Sequence, residues 1–413
     1  MSDVDLDEAG RVFTDPSAYA DEQRFHAACA LLRRTSPVHR VEVDGFNPFW
    51  AVTKHDDVME VARQHDRWLN APRPVLGPKA ADDRMAAEDV PVRTLIQMDA
   101  PDHPVYRRIT SEWFKPRSVA RLDERMAELA RRHVDRMAGL GDACDFVTDV
   151  AATYPLYVIL SLLGLPEADF PRMLQLTQEL FGAADPELAR NADPKAQEQT
   201  LLEFFEYFQA LVEDRRATPR EDLASVIANA EVDGEPIGIL EAVGYYVLVA
   251  TAGHDTTSSS IAGGLHALLQ HPDQLQRLLD DPSLVATAVD EMIRWVSPVK
   301  QFMRTATDDY VLRGVRIAAG ETVLLSYPSA NRDEDVFDHA GSFDVGRDPN
   351  RHVGFGFGAH HCLGAGLARM EGRALYAELV PRLRTIEIAG DASYVETLFV
   401  GGPKHLPIRY TFA

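Results

Sequence analysis

Apolar positions along the chain recur mostly at the three-to-four-residue spacing of an amphipathic helix, and short alternating runs mark the exceptions. Over Tyr19–Arg34, Phe25, Cys29, Leu31 and Leu32 share one face, and the pattern ends at Pro37. Val38–Val43 and Phe49–Thr53, separated by the Asp44–Pro48 turn, predict a β-hairpin, with a short helix behind it over Lys54–Gln64. From Asp102 to about Ala230 the pattern is mostly helical, with breaks at Pro116, Gly139–Gly141, Pro166 and Gly182–Pro194. After a turn at Val232–Pro236, Gly238–Gln270 reads as one long helix. Its Tyr245–Ala252 stretch is apolar on every side and therefore central. Helices follow over Pro272–Asp280 and Leu284–Trp295. Arg304–Ser326 is strand-like with a turn at Arg313-Gly314, and Tyr327–His352 is an irregular meander. A helix from Leu363 to about Leu383 and short strands to Ala413 complete the chain.

No internal repeat, low-complexity tract or dividing linker interrupts this order. The expectation is a mainly α fold with a minor β part, organised as one domain over residues 1–413. Two stretches break the periodicity. Ala71–Pro91 is rich in proline, glycine and charge, and Gly182–Pro194 separates two amphipathic helices. Long irregular segments of this kind often cover a binding site, so residues 70–97 and 182–195 are candidate lids.

Composition is that of a globular protein, and a net charge of −22 argues against a nucleic-acid surface or an anionic membrane. The acidic N-terminus has no signal-like apolar region, and no apolar run approaches the length of a membrane span. Cys29, Cys144 and Cys362 give no disulfide framework, so the expected setting is soluble and cytoplasmic.

Chemistry concentrates in Phe355–Gly364, where Gly356, Gly358 and Gly364 surround Cys362 just ahead of a helix. Nearby peptide N–H groups and the positive helix end favour a thiolate there. The local string alone leaves open a metal-bound thiolate or a free structural cysteine. Zinc fits poorly, because His360, His361 and Cys362 are adjacent and no second cysteine pair is in reach. A second unusual stretch, Ala252-Gly253-His254-Asp255-Thr256-Thr257, sits inside the long helix, where glycine and paired threonines are poor choices. Thr256 can bond back to the Ala252 carbonyl and bend the helix. Asp255 and Thr256 could handle protons, while small-residue helix packing is the plain alternative. A third, Glu291 with Arg294, is a spacing shared by several exposed helix pairs and says little by itself.

Phe355, Gly358, His360, Cys362 and Gly364 together resemble the haem-binding loop of the cytochrome P-450 superfamily of haem-thiolate monooxygenases. The resemblance covers essentially the whole chain, most strongly Val247–Arg409. It implies a triangular helical fold with small sheets and haem b (iron protoporphyrin IX) ligated axially by Cys362. It implies oxygen activation by Asp255 and Thr256 beside Ala252, and a structural Glu291–Arg294–Arg347 cluster under the cysteine loop. It implies contacts to the haem from Phe355 and Gly356, and propionate donors at His103, Arg107, Arg304 and His360. His254 falls at a variable position of the pattern and is assigned no proton-transfer role.

Several stretches, including Val299–Thr305 and Phe399–Lys404, are similar to a bacterial group containing the α-terpineol and p-cymene hydroxylases. That likeness implies hydroxylation of an unactivated C–H bond in a small apolar monoterpenoid or alkyl-aromatic. Electrons would come from a ferredoxin and an NAD(P)H-dependent ferredoxin reductase, docking at Arg107, Arg108, Lys115 and Arg369 on a monomeric protein. Val247, Leu248, Thr251, Val296, Val299, Phe302, Phe399 and Val400 read as pocket wall, with plain core as the alternative. The rival readings are a peroxide-driven peroxygenase, disfavoured by the Asp255-Thr256 pair, and a non-catalytic haem sensor or carrier.

Overall fold

The hairpin expected between Val38 and Thr53 forms the edge of the larger sheet. In the computed structural model, which describes residues 3–87, 93–181, 185–188 and 194–413, Val38–Val41 pairs antiparallel with Phe49–Val52. Phe49–Val52 then pairs in parallel with Thr322–Ser326, which pairs antiparallel with Gln301–Ala306, and Trp68–Leu69 closes the other edge. Thr322–Ser326 is buried at every position because both of its faces are covered. The two-residue strand period sends Leu324 toward Phe13, Phe25 and Cys29, and sends Val323 and Leu325 toward Val58, Trp68 and Tyr327. This sheet carries Phe302 and Arg304 into the interior.

The helical body shares one apolar core that runs from Leu95 to Tyr410. At its centre lie the helices Ile239–Ala252 and Asp255–Gln270, with Val285–Val296 and Ala365–Leu379 packed against the second. Gly263 and Gly264 make that approach close. A Cβ on Gly263 would lie 2.6 Å from Val296 Cγ2, and one on Gly264 would lie 2.5 Å from Met292 Cγ. A three-stranded sheet of Leu383–Ile388, Pro407–Phe412 and Ala143–Asp145 lies at the other end of the chain's path. No described helix is long and apolar enough to cross a membrane.

Three elements differ from the sequence reading. The helix expected over Gly238–Gln270 is two helices, broken at Gly253 and His254. Lys79–Ala87 is helical within a stretch expected to be irregular. Its four alanines are strong helix formers that add little to an apolar stripe, and contacts from Lys79 N to Gly45 O and from Asn47 to Asp82 dock it. Ala143–Asp145 is a strand inside a region read as helical, recruited by the distant Pro407–Phe412 strand through the Ile408–Cys144 register. Of the candidate lids, residues 88–92, 182–184 and 189–193 lie outside the described residues.

Candidate active site

Cys362 closes a tight loop. Its N–H donates to Phe355 O at 2.9 Å, Gly356 N–H to Val353 O at 2.9 Å, and His361 N–H to Gly358 O at 3.1 Å. Gly358 has φ +73°, and a Cβ there would lie 2.2 Å from the Ala62 carbonyl oxygen, so the loop presses backbone to backbone on the His55–Arg63 helix. A Cβ on Gly364 would meet no atom within 4 Å, so the backbone there stands beside open space. Cys362 lies deep in the molecule yet keeps accessible surface. Burial raises its thiol pKa, against the pull of the Gly364 N–H and the charges of Arg107 and Arg369. Cys29 is sealed in the core and Cys144 sits in a strand, so neither shares this setting. Gly358→Ala is expected to cost about 2–3 kcal/mol in urea-induced unfolding of the loaded protein, because the added methyl meets backbone that cannot yield.

Donors cluster on one side of this loop. Asp102–Ser111 carries His103 and Arg107 on one face. Arg107 Nη2 donates to His361 O at 2.6 Å, and the His103 ring lies 3.9 Å from the His360 ring. His360 Nε2 meets Asn70 Nδ2 at 3.0 Å, whereas His103 Nε2 is buried without a partner among the described residues. Arg304 is buried, and its Nη1 donates to Met303 O at 2.7 Å. Burial followed by the charge of Arg107 brings His103 down to about 4. Burial followed by His103, Arg304 and Arg107 brings His360 to about 2. The field that holds both imidazoles neutral would attract an anion. His103, Arg107, Arg304 and His360 are therefore brought together as the sequence suggested. Asn70 and Asp99 were not anticipated. Asp99 accepts from Asn70 N and Ala71 N at 2.9 Å each and fixes the strand end beside His360.

The central helices break where glycine meets the hydroxyl residues. Gly253 N–H reaches Val249 O at 3.3 Å and His254 N–H reaches Thr251 O at 3.4 Å, both long, while Thr256 Oγ1 donates to Ala252 O at 2.8 Å. A Cβ on Gly253 would meet Ile159 Cγ1 at 2.8 Å, so only glycine allows this approach. Ala252 keeps accessible surface although Ala250 and Thr251 before it are buried, and Val247, Leu248 and Thr256 are also partly open. Asp255 Oδ1 lies 3.3 Å from His254 Nδ1, and its Oδ2 is buried with no partner among the described residues.

Glu291 is wholly buried. It takes both Arg294 Nε and Nη2 at 2.7 Å, Arg347 Nε at 3.1 Å, Asp344 N–H at 2.9 Å and Asn350 Nδ2 at 3.1 Å. Arg294 donates onward to the carbonyls of Asn331, Ala340 and Ser342, so the cluster ties the meander to the Val285–Val296 helix. Arg369 does not join a free basic patch. It is drawn 2.6 Å from Asp290 and lies over the Phe355 ring at 4.5 Å, because that half-buried carboxylate offers a better partner than solvent. Burial would raise Asp290, but bonds from His352 and Arg369 bring it to about 2. Lys115 pairs with Glu112 on the surface, and Arg108 is exposed.

Of the apolar wall, Val299, Phe302 and Phe399 are partly open, with the two phenylalanine rings 5.4 Å apart edge to face, and Val400 is buried in a β-bridge to Val299. Thr251 is buried and donates its hydroxyl to Val247 O at 2.7 Å. Val296 departs from the expectation. Its side chain fills the notch at Gly263 and is 4 % exposed, so it belongs to helix packing and not to a pocket wall.

Residues 105–391 match the family model described as Cytochrome P450. The chain belongs to the cytochrome P450 family. It is 42% identical over 411 residues to "Cytochrome P450-terp" of a Pseudomonas species, covering 96% of each chain. It is 36% identical over 391 residues to "Steroid C26-monooxygenase" of Mycolicibacterium smegmatis, covering 93% of this chain and 90% of that one. Among solved structures it resembles CYP108D1 from Novosphingobium aromaticivorans, with a TM-score of 0.90, 41% identity and coverage of 98% and 99%. It also resembles Mycobacterium marinum CYP268A2 in complex with pseudoionone, with a TM-score of 0.87, 34% identity and coverage of 94% and 95%.

As a cytochrome P450 the protein is a monooxygenase whose cofactor is haem b held by a cysteine thiolate, and it uses dioxygen and a redox partner. The residues present fit that group. The open space at Gly364, and His103 Nε2 and buried Arg304, which among the described residues have no hydrogen-bond partner and no paired carboxylate respectively, are what a flat dianionic ligand needs.

Proposed function

We propose that this P450 hydroxylates a small, neutral, largely apolar substrate, with a monoterpenoid or alkyl-aromatic favoured and a ferredoxin and its NAD(P)H-dependent reductase as electron source. Cys362 would ligate the iron. His103, Arg107, Arg304 and His360 would hold the propionates, and Phe355, Gly356 and Ala252 would border the ring. The bound haem supplies the oxygen activation and C–H oxidation. Chain residues do the rest. Asp255 Oδ2 takes a proton from solvent and passes it through water toward the Thr256 hydroxyl, which holds that water in place. The kink at Gly253 and His254 opens the room in which this happens.

The observation that carries the substrate class is that Val247, Leu248 and Ala252 on the central helix, and Val299, Phe302 and Phe399 of the proposed wall, all keep accessible surface. None of these side chains is charged or polar, and the adjacent Thr251 hydroxyl is spent on its own helix. Such a wall suits a hydrocarbon skeleton and would penalise a charged one. The relative named "Cytochrome P450-terp" supports the same class. A screen of haem spin-state change against terpenoids, alkylbenzenes, fatty acids and steroids tests it. Shifts from the first two classes at micromolar concentration are expected, and a response confined to fatty acids or steroids would overturn the assignment.

The acidic ferredoxin is favoured by exposed Arg108, half-buried Arg107 and the weak surface pair of Lys115. We place the protein in the cytoplasm as a monomer with one domain, the last supported by the shared core from Leu95 to Tyr410. Thr256→Ala is expected to leave reductant consumption within about twofold while product per reductant falls about tenfold or more, with peroxide or water making up the balance. Equal coupling in mutant and parent would refute the role given to Thr256.

A further inference from the structure

His254 is 1 % exposed, and every polar atom facing its ring is an acceptor or can act as one. Nε2 meets the Ala152 carbonyl at 2.6 Å, and a carbonyl can only accept, so Nε2 carries hydrogen. Nδ1 lies 3.3 Å from Asp255 Oδ1 and 3.2 Å from Thr177 Oγ1. The Thr177 hydroxyl has its own acceptor, Leu174 O at 3.0 Å, which leaves its oxygen as an acceptor toward Nδ1. A bare Nδ1 lone pair would face a carboxylate oxygen and a hydroxyl oxygen at once. Two ring N–H groups satisfy all of these contacts.

We propose that His254 is a buried imidazolium that holds Asp255 as a carboxylate, pins its Oδ1, and so leaves Oδ2 as the single atom through which the proton path runs. The proposal rests on the reading of Asp255 and Thr256 as proton carriers given above. Burial alone would lower the pKa of His254, but the charge and bond of Asp255 and the Ala152 carbonyl outweigh it and leave the pKa raised. Among the described residues the neighbouring elements bring no competing charge to the ring. The Phe170–Phe181 helix offers the Thr177 hydroxyl, the segment before Tyr154 offers the Ala152 carbonyl, and the Tyr154–Leu162 helix offers Ile159 beside Gly253. Glu179, on the same helix as Thr177, bonds with Gln175 and Thr200.

His254 is thus a positioning residue. It keeps both of its protons while Oδ2 of Asp255 gains one from solvent and gives it up toward Thr256, so the path returns to its starting charge after each transfer. Removing the cation takes away the positive charge that faces Asp255 Oδ1. The acid side of the pH profile for coupling, meaning product formed per reductant consumed, then moves to higher pH in His254→Gln by about one unit or more.

Two readouts on haem-loaded protein test this. Nitrogen-15 NMR of the ring in the diamagnetic reduced carbon monoxide complex, assigned by loss of the signal in His254→Gln, reports the charge directly. Both ring nitrogens protonated at pH 7 is the expected result, and a neutral imidazole overturns the proposal; should His254→Gln fail to fold, loss of the signal in His254→Asn supplies the assignment. The pH profile of coupling is the second readout, and superimposable profiles for parent and His254→Gln also overturn it. Asp255→Asn separates the layers. Unchanged coupling in that variant refutes the proton-carrier reading itself, whereas lost coupling with a neutral His254 refutes only the inference made here.

Discussion

Cys362→Ser is expected to produce a folded protein that has lost the thiolate-type carbon monoxide difference band of the reduced haem protein, and with it all measurable hydroxylation. The fold should survive because little of it depends on the thiol. The loop is closed by the N–H of residue 362 to Phe355 O, a backbone bond that serine keeps, and is seated by Gly358 on Ala62. The chemistry should not survive, because a serine oxygen is a harder and weaker donor than a thiolate. A thiolate pushes electron density onto the iron and favours O–O cleavage. The check is a reduced carbon monoxide spectrum alongside a far-ultraviolet circular dichroism spectrum. A retained thiolate-type band in Cys362→Ser would place the ligand elsewhere.

The second large effect is structural. Glu291→Gln removes the only carboxylate among the described residues that both Arg294 and Arg347 bond, and Arg294 is 0 % exposed. Leaving buried guanidinium charge uncompensated costs about 3–5 kcal/mol, a large fraction of the roughly 5–15 kcal/mol that stabilises a typical domain. The expected result is poor accumulation of haem-loaded protein and a urea midpoint far below that of the parent. Arg294→Lys should be nearly as damaging. The guanidinium reaches Glu291 and three meander carbonyls at once, and an ammonium cannot span that fork. A parent-like midpoint in either variant would remove the cluster from the account of how the meander is held beneath Cys362.

Motifs whose chemistry is local were legible in the sequence. The loop around Cys362, the back-bond from Thr256 to Ala252 and the apolar centre of the Ile239–Ala252 helix each follow from residue types a few positions apart. The donor set was readable because His103 and Arg107 share a helical face, although their convergence with Arg304 and His360 joins three remote segments.

What escaped the sequence depends on partners far along the chain. Val296 has the composition of a pocket residue, and only the notch at Gly263 turns it into helix packing. Arg369 reads as a surface cation until Asp290 is found beside it. The Ala143–Asp145 strand exists because Pro407–Phe412 comes to meet it. His254 is the sharpest case. A histidine inside an apolar helix gives no hint of its charge, which is set by Asp255 next to it and by acceptors from two other elements.

These parts combine into a division of labour. On the proposed reading the loop and the cation cluster hold the haem, the broken helix manages protons, and the apolar residues with the Phe302 and Phe399 rings choose the substrate. The measurement that tests this most directly is turnover of α-terpineol or p-cymene under isotopically labelled dioxygen, with an acidic ferredoxin, its reductase and NAD(P)H. The account predicts an alcohol carrying one labelled oxygen atom, formed in proportion to reductant consumed. Product that appears only with added peroxide, or that carries oxygen from water, would contradict it.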